Sequence, residues 1–253
     1  MTEKEALFNY CLKLGDSSLI MGHRISEWCG HGPVLEQDIA LTNIALDLVG
    51  QARMFLTYAG EVEGKARTED DFAYWRNDRE YRNALLTEFP NGDFGQTIIK
   101  LFLFDVYQVE LFGVLKNSSN ARLSAIAEKS IKESKYHLRF STDWVLRLGG
   151  GTEESNLRIT AGLNELWMYF GDLFAASAGE DLLVSAGIAP DIREIRSKSE
   201  SVIRETLTKA GIPLPNFDAV MQQGSQDGIH TEFLSYILSE MQAVTRAYPG
   251  ATW

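Results

Sequence analysis

Chemistry in this 253-residue chain would have to come from polar side chains in the middle of two apolar helical stripes. Between Leu41 and Ala59, the residues Leu41, Ile44, Leu48, Gln51 and Phe55 recur at steps of three and four. Between Leu123 and Leu148, the residues Leu123, Ala127, Ser130, Ser134, His137, Ser141, Trp144 and Leu148 do the same. Such steps stack side chains on one helix face. Gln51, Ser134 and His137 therefore lie mid-stripe, where a carboxylate-bridged four-helix bundle holds two metal ions. That centre takes one Glu from each of two helices and a Glu-x-x-His pair from each of the other two. The i, i+3 spacing aims carboxylate and imidazole at one metal pair. Oxygen ligands with imidazole suit iron that activates dioxygen.

The chain has four histidines and no Glu-x-x-His. Three residues before His23, His31 and His137 stand Ile20, Trp28 and Ser134. Only His230 has an acid there, Asp227, at a loop–helix junction beside Gly224 and Gly228. Capping a helix N-terminus is the better use of that Asp227. In the segment DLVGQAR, Asp47–Arg53, the in-register pair is Leu48 and Gln51, and a shift of one gives Asp47 and Gly50. In KESKYHLRF, Lys132–Phe140, the pair is Ser134 and His137, with Glu133 one position, about 100°, off the stripe. On the third helix Leu101, Asp105, Gln108, Phe112 and Leu115 share a face. Asp105 and His137 alone are too few ligands for two irons. The simpler expectation is a hydrogen-bonded core His137 with Asp105 as its partner, since a buried carboxylate needs one. Gln51 and Ser134 would complete a polar network in place of metal.

The remaining polar motifs have plain structural uses. Gly149–Gly151 lacks the Gly-Lys-Ser/Thr ending of a phosphate loop and reads as a helix C-cap. Ser, Cys and His form no local nucleophile signature. The charges from Arg193 to Glu205 read as a solvated helix face.

These side chains need helices to position them. Hydrophobic residues make up 45% and charged residues 23%, with only 6 Pro, which fits a soluble globular chain with a sizeable core. The net charge of −11 argues against nucleic acid or an acidic membrane surface as a partner. Cys11 and Cys29 are too few for a disulfide framework and read as core thiols. The start MTEKEALFNY lacks the apolar stretch of a signal peptide. No run reaches the roughly 18 apolar residues of a membrane span, so a cytoplasmic location is expected.

Long helices are expected at 3–28, 35–62, 94–116 and 121–148. Gly15 and Gly22 in the first either permit close helix approach or mark a bend. Residues 69–77 and 78–89 read as two short helices closed by Pro90-Asn91-Gly92. Thr152 caps a helix to about Ala178 that buries Leu157, Leu163, Leu166, Phe170 and Leu173. A turn-rich piece at 179–189, a charged helix at 190–210, a loop from Gly211 to Ile229 and a helix from His230 to Ala247 complete the chain. No segment alternates as a strand does. The expectation is an all-α single domain over 1–253: a four-helix bundle with a helical elaboration at 153–253.

Several literal stretches carry a resemblance: SEWCGHGPVLEQDIALTNIALDLVGQARMFLTYAGE, EFPNGDFGQTI, IKESKYHLRFSTDWVLRLGGGT, and GIHTEFLSYILSEMQ with the terminal Trp253. They resemble the non-catalytic, ferritin-like C subunits of the bacterial phenylacetyl-CoA epoxidase (phenylacetate-CoA oxygenase) family. The likeness spans nearly the whole chain and is less clear near 63–77 and 179–223. It implies that a related catalytic A subunit holds the di-iron centre, binds the CoA thioester and pairs with this chain. Other subunits bridge the assembly or pass electrons from NADPH through flavin and an iron–sulfur centre. The complex inserts one oxygen atom into the aromatic ring of phenylacetyl-CoA to give an epoxide. The resemblance places the sister subunit's six metal positions at Ser18, Leu48, Gln51, Asp105, Ser134 and His137, of which only Asp105 and His137 keep a ligating side chain.

The expectation is thus a subunit with no catalytic residue, metal or cofactor of its own, acting through its catalytic partner. The competing expectation, an autonomous di-metal oxidase or oxygenase, lacks the ligands. A free-standing scaffold survives only if the likeness is superficial. An obligate partner needs an interface above about 1,600 Å², with apolar residues of the first two long helices supplying part of it. Alone, the chain would self-associate through the same surface.

Overall fold

Thr2 opens the first helix. Its hydroxyl accepts a hydrogen bond from the Glu5 N–H (3.2 Å), and the Glu5 carboxylate accepts one from the Thr2 N–H (2.7 Å). This reciprocal box satisfies two donors that a helix start leaves free. In the computed structural model, which describes residues 1–251, α1 runs Glu3–Ser26 and α2 Leu35–Glu63. Trp253, part of the resemblance above, lies outside the described residues. A methyl group on Gly15 would meet Leu56 Cδ2 at 2.8 Å, and one on Gly22 would meet Leu48 Cβ at 3.2 Å. The two glycines therefore let α1 and α2 pack closely and antiparallel, and α1 continues unbroken through both.

The second pair of bundle helices is α4, Phe94–Leu115, and α5, Ala121–Gly149. Asp93 caps α4 through the Gln96 N–H (2.9 Å). Asn120 caps α5 through the N–H groups of Arg122 and Leu123 (3.1 and 3.0 Å). Between the pairs lies α3, Glu69–Tyr74. After α5 come α6 (Glu153–Phe170), α7 (Glu180–Ser185), α8 (Ile192–Ala210), α9 (Glu232–Met241) and α10 (Ala243–Ala247). Helices α6 and α8 pack on α4, α8 also on α5, and α7 on α1. The result is an all-α, ferritin-like bundle with added C-terminal helices, and no strand occurs among the described residues.

Helix α2 is long and apolar enough, by length and composition, to cross a membrane, but 50% of its most apolar window is buried in the bundle. Such a helix is common in the core of globular proteins. Both expected stripes face inward: Leu41, Ile44, Leu48, Gln51 and Phe55 are fully buried, as are Leu123, Ala127, Ser130, Ser134, His137 and Ser141. Trp144 and Leu148 at the end of α5 are partly exposed.

Four local expectations need correction. Residues 78–89 form two 3-10 turns, Asp78–Glu80 and Leu85–Glu88, not a helix. The N–H groups of Arg82, Ala84 and Leu85 bond to the side chains of Asp16, Ser17 and Asp172 (2.9, 3.1 and 2.9 Å), so tertiary partners replace the helical ladder. Helix α6 stops at Phe170, followed by a 3-10 turn at Gly171–Phe174. Leu157 is exposed, because it lies roughly 120–180° around α6 from Ile159, Leu163, Leu166 and Phe170, which are buried. Cys29 is exposed beyond the end of α1, while Cys11 is buried as expected.

Gly149 ends α5 for a reason other than a left-handed cap. A methyl there would sit 2.5 Å from the Ala210 carbonyl oxygen, so its missing side chain lets α8 seat against α5. Gly150 follows at φ −89°, outside the left-handed region.

Candidate functional site

Each bundle helix contributes a polar side chain to one buried layer: Ser18 from α1, Gln51 from α2, Gln108 from α4 and Ser134 from α5. All four are at most 2% exposed. Gln108 is the hub. Its amide nitrogen donates to Gln51 Oε1 (3.1 Å) and to Ser18 Oγ (3.4 Å), and its oxygen accepts from Ser134 Oγ (3.2 Å). Gln51 passes the chain outward by donating to Glu133 Oε2 (3.3 Å). Burial pushes the Glu133 carboxyl upward, the Gln51 bond opposes this, and the nearby Asp47 charge adds to it. A buried amide must find partners within the protein, and those of Gln108 are other neutral groups. Gln108 lies three residues after Asp105 on the face read from the sequence, but its role as the hub appears only once four helices meet.

Asp105 and His137, the two of the six expected positions with a ligating side chain, are fully buried and do not hydrogen-bond each other. His137 Nε2 lies 3.0 Å from Asp47 Oδ2 on α2, whose side chain is 37% exposed. Asp105 Oδ2 accepts from Ser141 Oγ at 2.7 Å. The expected Asp105–His137 pair is therefore replaced by two separate contacts. Asp105 faces Ser141 from within the bundle, whereas His137 reaches outward between α2 and α5. Burial drives the Asp105 carboxyl well above its usual range, and the Ser141 bond opposes the shift only in part.

A di-iron centre does not fit these donors. Ser18, Gln51 and Ser134 are engaged with Gln108, and Leu48 offers only hydrocarbon. Among the described residues no three His, Cys, Asp or Glu side chains converge as metal ligands do.

The other acid–imidazole pair dissolves as well. Asp227 sits in a 3-10 turn, Ser225–Asp227, and α9 starts after Thr231. His230 bonds instead to Glu88 Oε1 (2.6 Å), a fully buried carboxylate that no sequence motif singles out.

The outer face of α2 is the other conspicuous feature. Leu35, Ile39, Leu46 and Val49 are 71, 51, 65 and 41% exposed and recur at helical spacing. Beside Val49 a groove of about 310 Å³ runs between α2 and α3, floored by Leu19, Ala52, Leu56 and Ala73. The Arg53–Glu69 ion pair (3.0 Å) stands at its rim. Helix α1 adds little to this face, because its apolar side chains are buried.

The fold and this layer together define a ferritin-like helical bundle whose four long helices are joined at their centre by a buried glutamine–serine network. The model of the phenylacetic acid catabolic protein family matches residues 1–253, and the chain belongs to that family. It is 43% identical over 244 residues to the C subunit of the 1,2-phenylacetyl-CoA epoxidase of Escherichia coli (strain K12), covering 96% of this chain and 98% of that relative.

Proposed function

We propose that this chain is the non-catalytic C-type subunit of a multicomponent di-iron monooxygenase that epoxidises the ring of phenylacetyl-CoA during aerobic phenylacetate degradation. The observation that carries this is the Gln108 network, which joins the four bundle helices through a buried layer of neutral, mutually bonded side chains. The full-length likeness to the C subunit of such an epoxidase supports it. On this reading the chain stabilises and positions a catalytic subunit that holds the irons and the CoA thioester. A bridging subunit joins the assembly, and a reductase supplies electrons from NADPH through flavin and an iron–sulfur centre. The complex works in the cytoplasm.

The exposed α2 stripe and its groove are where the catalytic subunit docks. Exposed aliphatic residues in helical register, beside a groove with an apolar floor, suit a helix of the partner. Alone, the chain pairs with itself through the same face.

The test is co-expression with the catalytic subunit, followed by metal analysis of each purified species. A stable complex is expected, with iron in the partner and none tightly held by this chain. Two tightly bound irons in this chain alone would overturn the proposal. So would failure to form a complex, with epoxidation unchanged when this chain is omitted.

A further inference from the structure

The C-terminal helices are fastened to the bundle at two ends of different chemistry. At the far end, Gln242 donates to the carbonyl oxygens of Ala73 and Arg76 (3.0 Å each), and Arg246 to those of Tyr74 and Arg76 (3.1 and 3.0 Å). These contacts hold no group that titrates near neutral pH. At the near end, the start of α9 meets one buried carboxylate, Glu88. Its Oε1 accepts from His230 Nδ1 (2.6 Å) and Asn83 Nδ2 (3.0 Å), and its Oε2 from the Thr231 N–H (2.8 Å) and Thr231 Oγ (2.6 Å).

The second ring nitrogen of His230 decides its protonation. Nε2 lies 3.0 Å from the Tyr81 carbonyl oxygen, which can only accept. Nε2 therefore carries a hydrogen. Nδ1 faces a carboxylate that already takes three other donor contacts. Both ring nitrogens face acceptors, and the arrangement is satisfied by an imidazolium against an ionised carboxylate.

We propose that α9 is held by a proton-dependent latch, in which the His230 imidazolium clamps the start of the helix between Glu88 and Tyr81 and its deprotonation frees that end. The surrounding charges favour the clamp. Burial works against a charged ring, but the Glu88 hydrogen bond and charge, the Tyr81 carbonyl and Asp16 together lift His230 above its ordinary value. Facing it from α1 are Asp16, itself paired with Arg76, and Arg24, whose guanidinium donates to the Glu88 backbone carbonyl (2.9 and 2.7 Å). Tyr81 contributes a phenol that burial pushes upward, so it stays neutral. On the solvent side, Asp78, Arg79, Asp227 and Glu232 line the adjacent groove.

The apolar half of the latch is Phe233, whose ring centroid lies 5.2 Å from that of Phe89. Releasing the near end exposes this contact and loosens the placement of Tyr236, which is 65% exposed on α9. The sign follows from linkage: a raised folded-state value stabilises the latch below about pH 6.5, and the stabilisation is lost as pH rises through the raised value.

Hydrogen exchange of the full chain, corrected for intrinsic rate, tests this alongside an NMR titration of the His230 ring. Protection over residues 229–238 should fall roughly tenfold as pH rises from about 6 to 9, the scale of one charge-assisted hydrogen bond. Its midpoint should match the His230 titration. Protection around Gln242 should fall less, and His230→Gln should flatten the profile. A His230 titration below its ordinary value, a flat wild-type profile, or an unchanged profile in His230→Gln would overturn the latch. The ring titration needs no variant, so a poorly folding His230→Gln leaves the test intact.

Discussion

His137 Nε2 and Asp47 Oδ2 lie 3.0 Å apart across the contact between α5 and α2, joining a fully buried ring to a carboxylate that reaches solvent. The pair ties the interior of the bundle to the flank of its exposed apolar helix. The His137 Nδ1 atom makes no hydrogen bond within the protein, so Nε2 has the one anchoring contact of the ring. Asp47→Ala should therefore destabilise the chain by about 1–3 kcal/mol, the scale of stranding a buried polar group. Asp47→Asn, which keeps an acceptor, should cost less. Urea unfolding of the three proteins measures both.

Gln108 touches polar groups from all three other bundle helices. Gln108→Leu keeps much of the volume but strands Gln51 Oε1 and Ser134 Oγ. A loss of about 2–3 kcal/mol is expected. Adding Ser134→Ala should cost less than the sum of the two single changes, since one stranded group is then removed. An additive double-mutant cycle would show that the network does not act as a unit.

Asp105 should leave a signature in the pH dependence of stability. Its carboxyl is raised in the folded state, so the folded chain holds a proton that the unfolded chain releases above about 3.8. Its contribution is complete below that value and is lost as pH rises through the raised one. Asp105→Asn removes the titration. The stability gap between wild type and variant should therefore move in favour of Asp105→Asn as pH rises from about 4 to 8. Denaturant midpoints across that range give the comparison, and a constant gap would contradict the sign.

Leu46 is 65% exposed at the centre of the α2 stripe. Leu46→Glu should abolish association with the catalytic subunit while changing stability by no more than about 0.5 kcal/mol, as for most surface changes. Co-purification and thermal melts of the isolated chain separate the two effects. Normal assembly in the variant would move the docking face elsewhere.

Much of this architecture is legible in the sequence because helix geometry is local. Thr152 caps a helix that begins one residue later, and the steps of three and four along α2 and α5 place Leu48, Gln51, Ser134 and His137 on buried faces. Where a segment's backbone bonds to distant side chains, local pattern fails. Residues 78–89 have helical composition, yet Asp16, Ser17 and Asp172 take their N–H groups. Leu157 departs from expectation for another reason: a step of six residues to Leu163 turns about 240° around a helix, so the two cannot share a face.

The sequence by itself determined which residues line the buried faces of α2 and α5, because their identities and helical spacing are local properties. It also carried the family likeness. Only the tertiary structure decided who bonds to whom. Asp105 pairs with Ser141 and His137 with Asp47, because a side chain's partner depends on the rotation and offset of neighbouring helices, which no single-helix period encodes. For the same reason Glu88, silent in the sequence, becomes the carboxylate that holds His230 from 142 residues away.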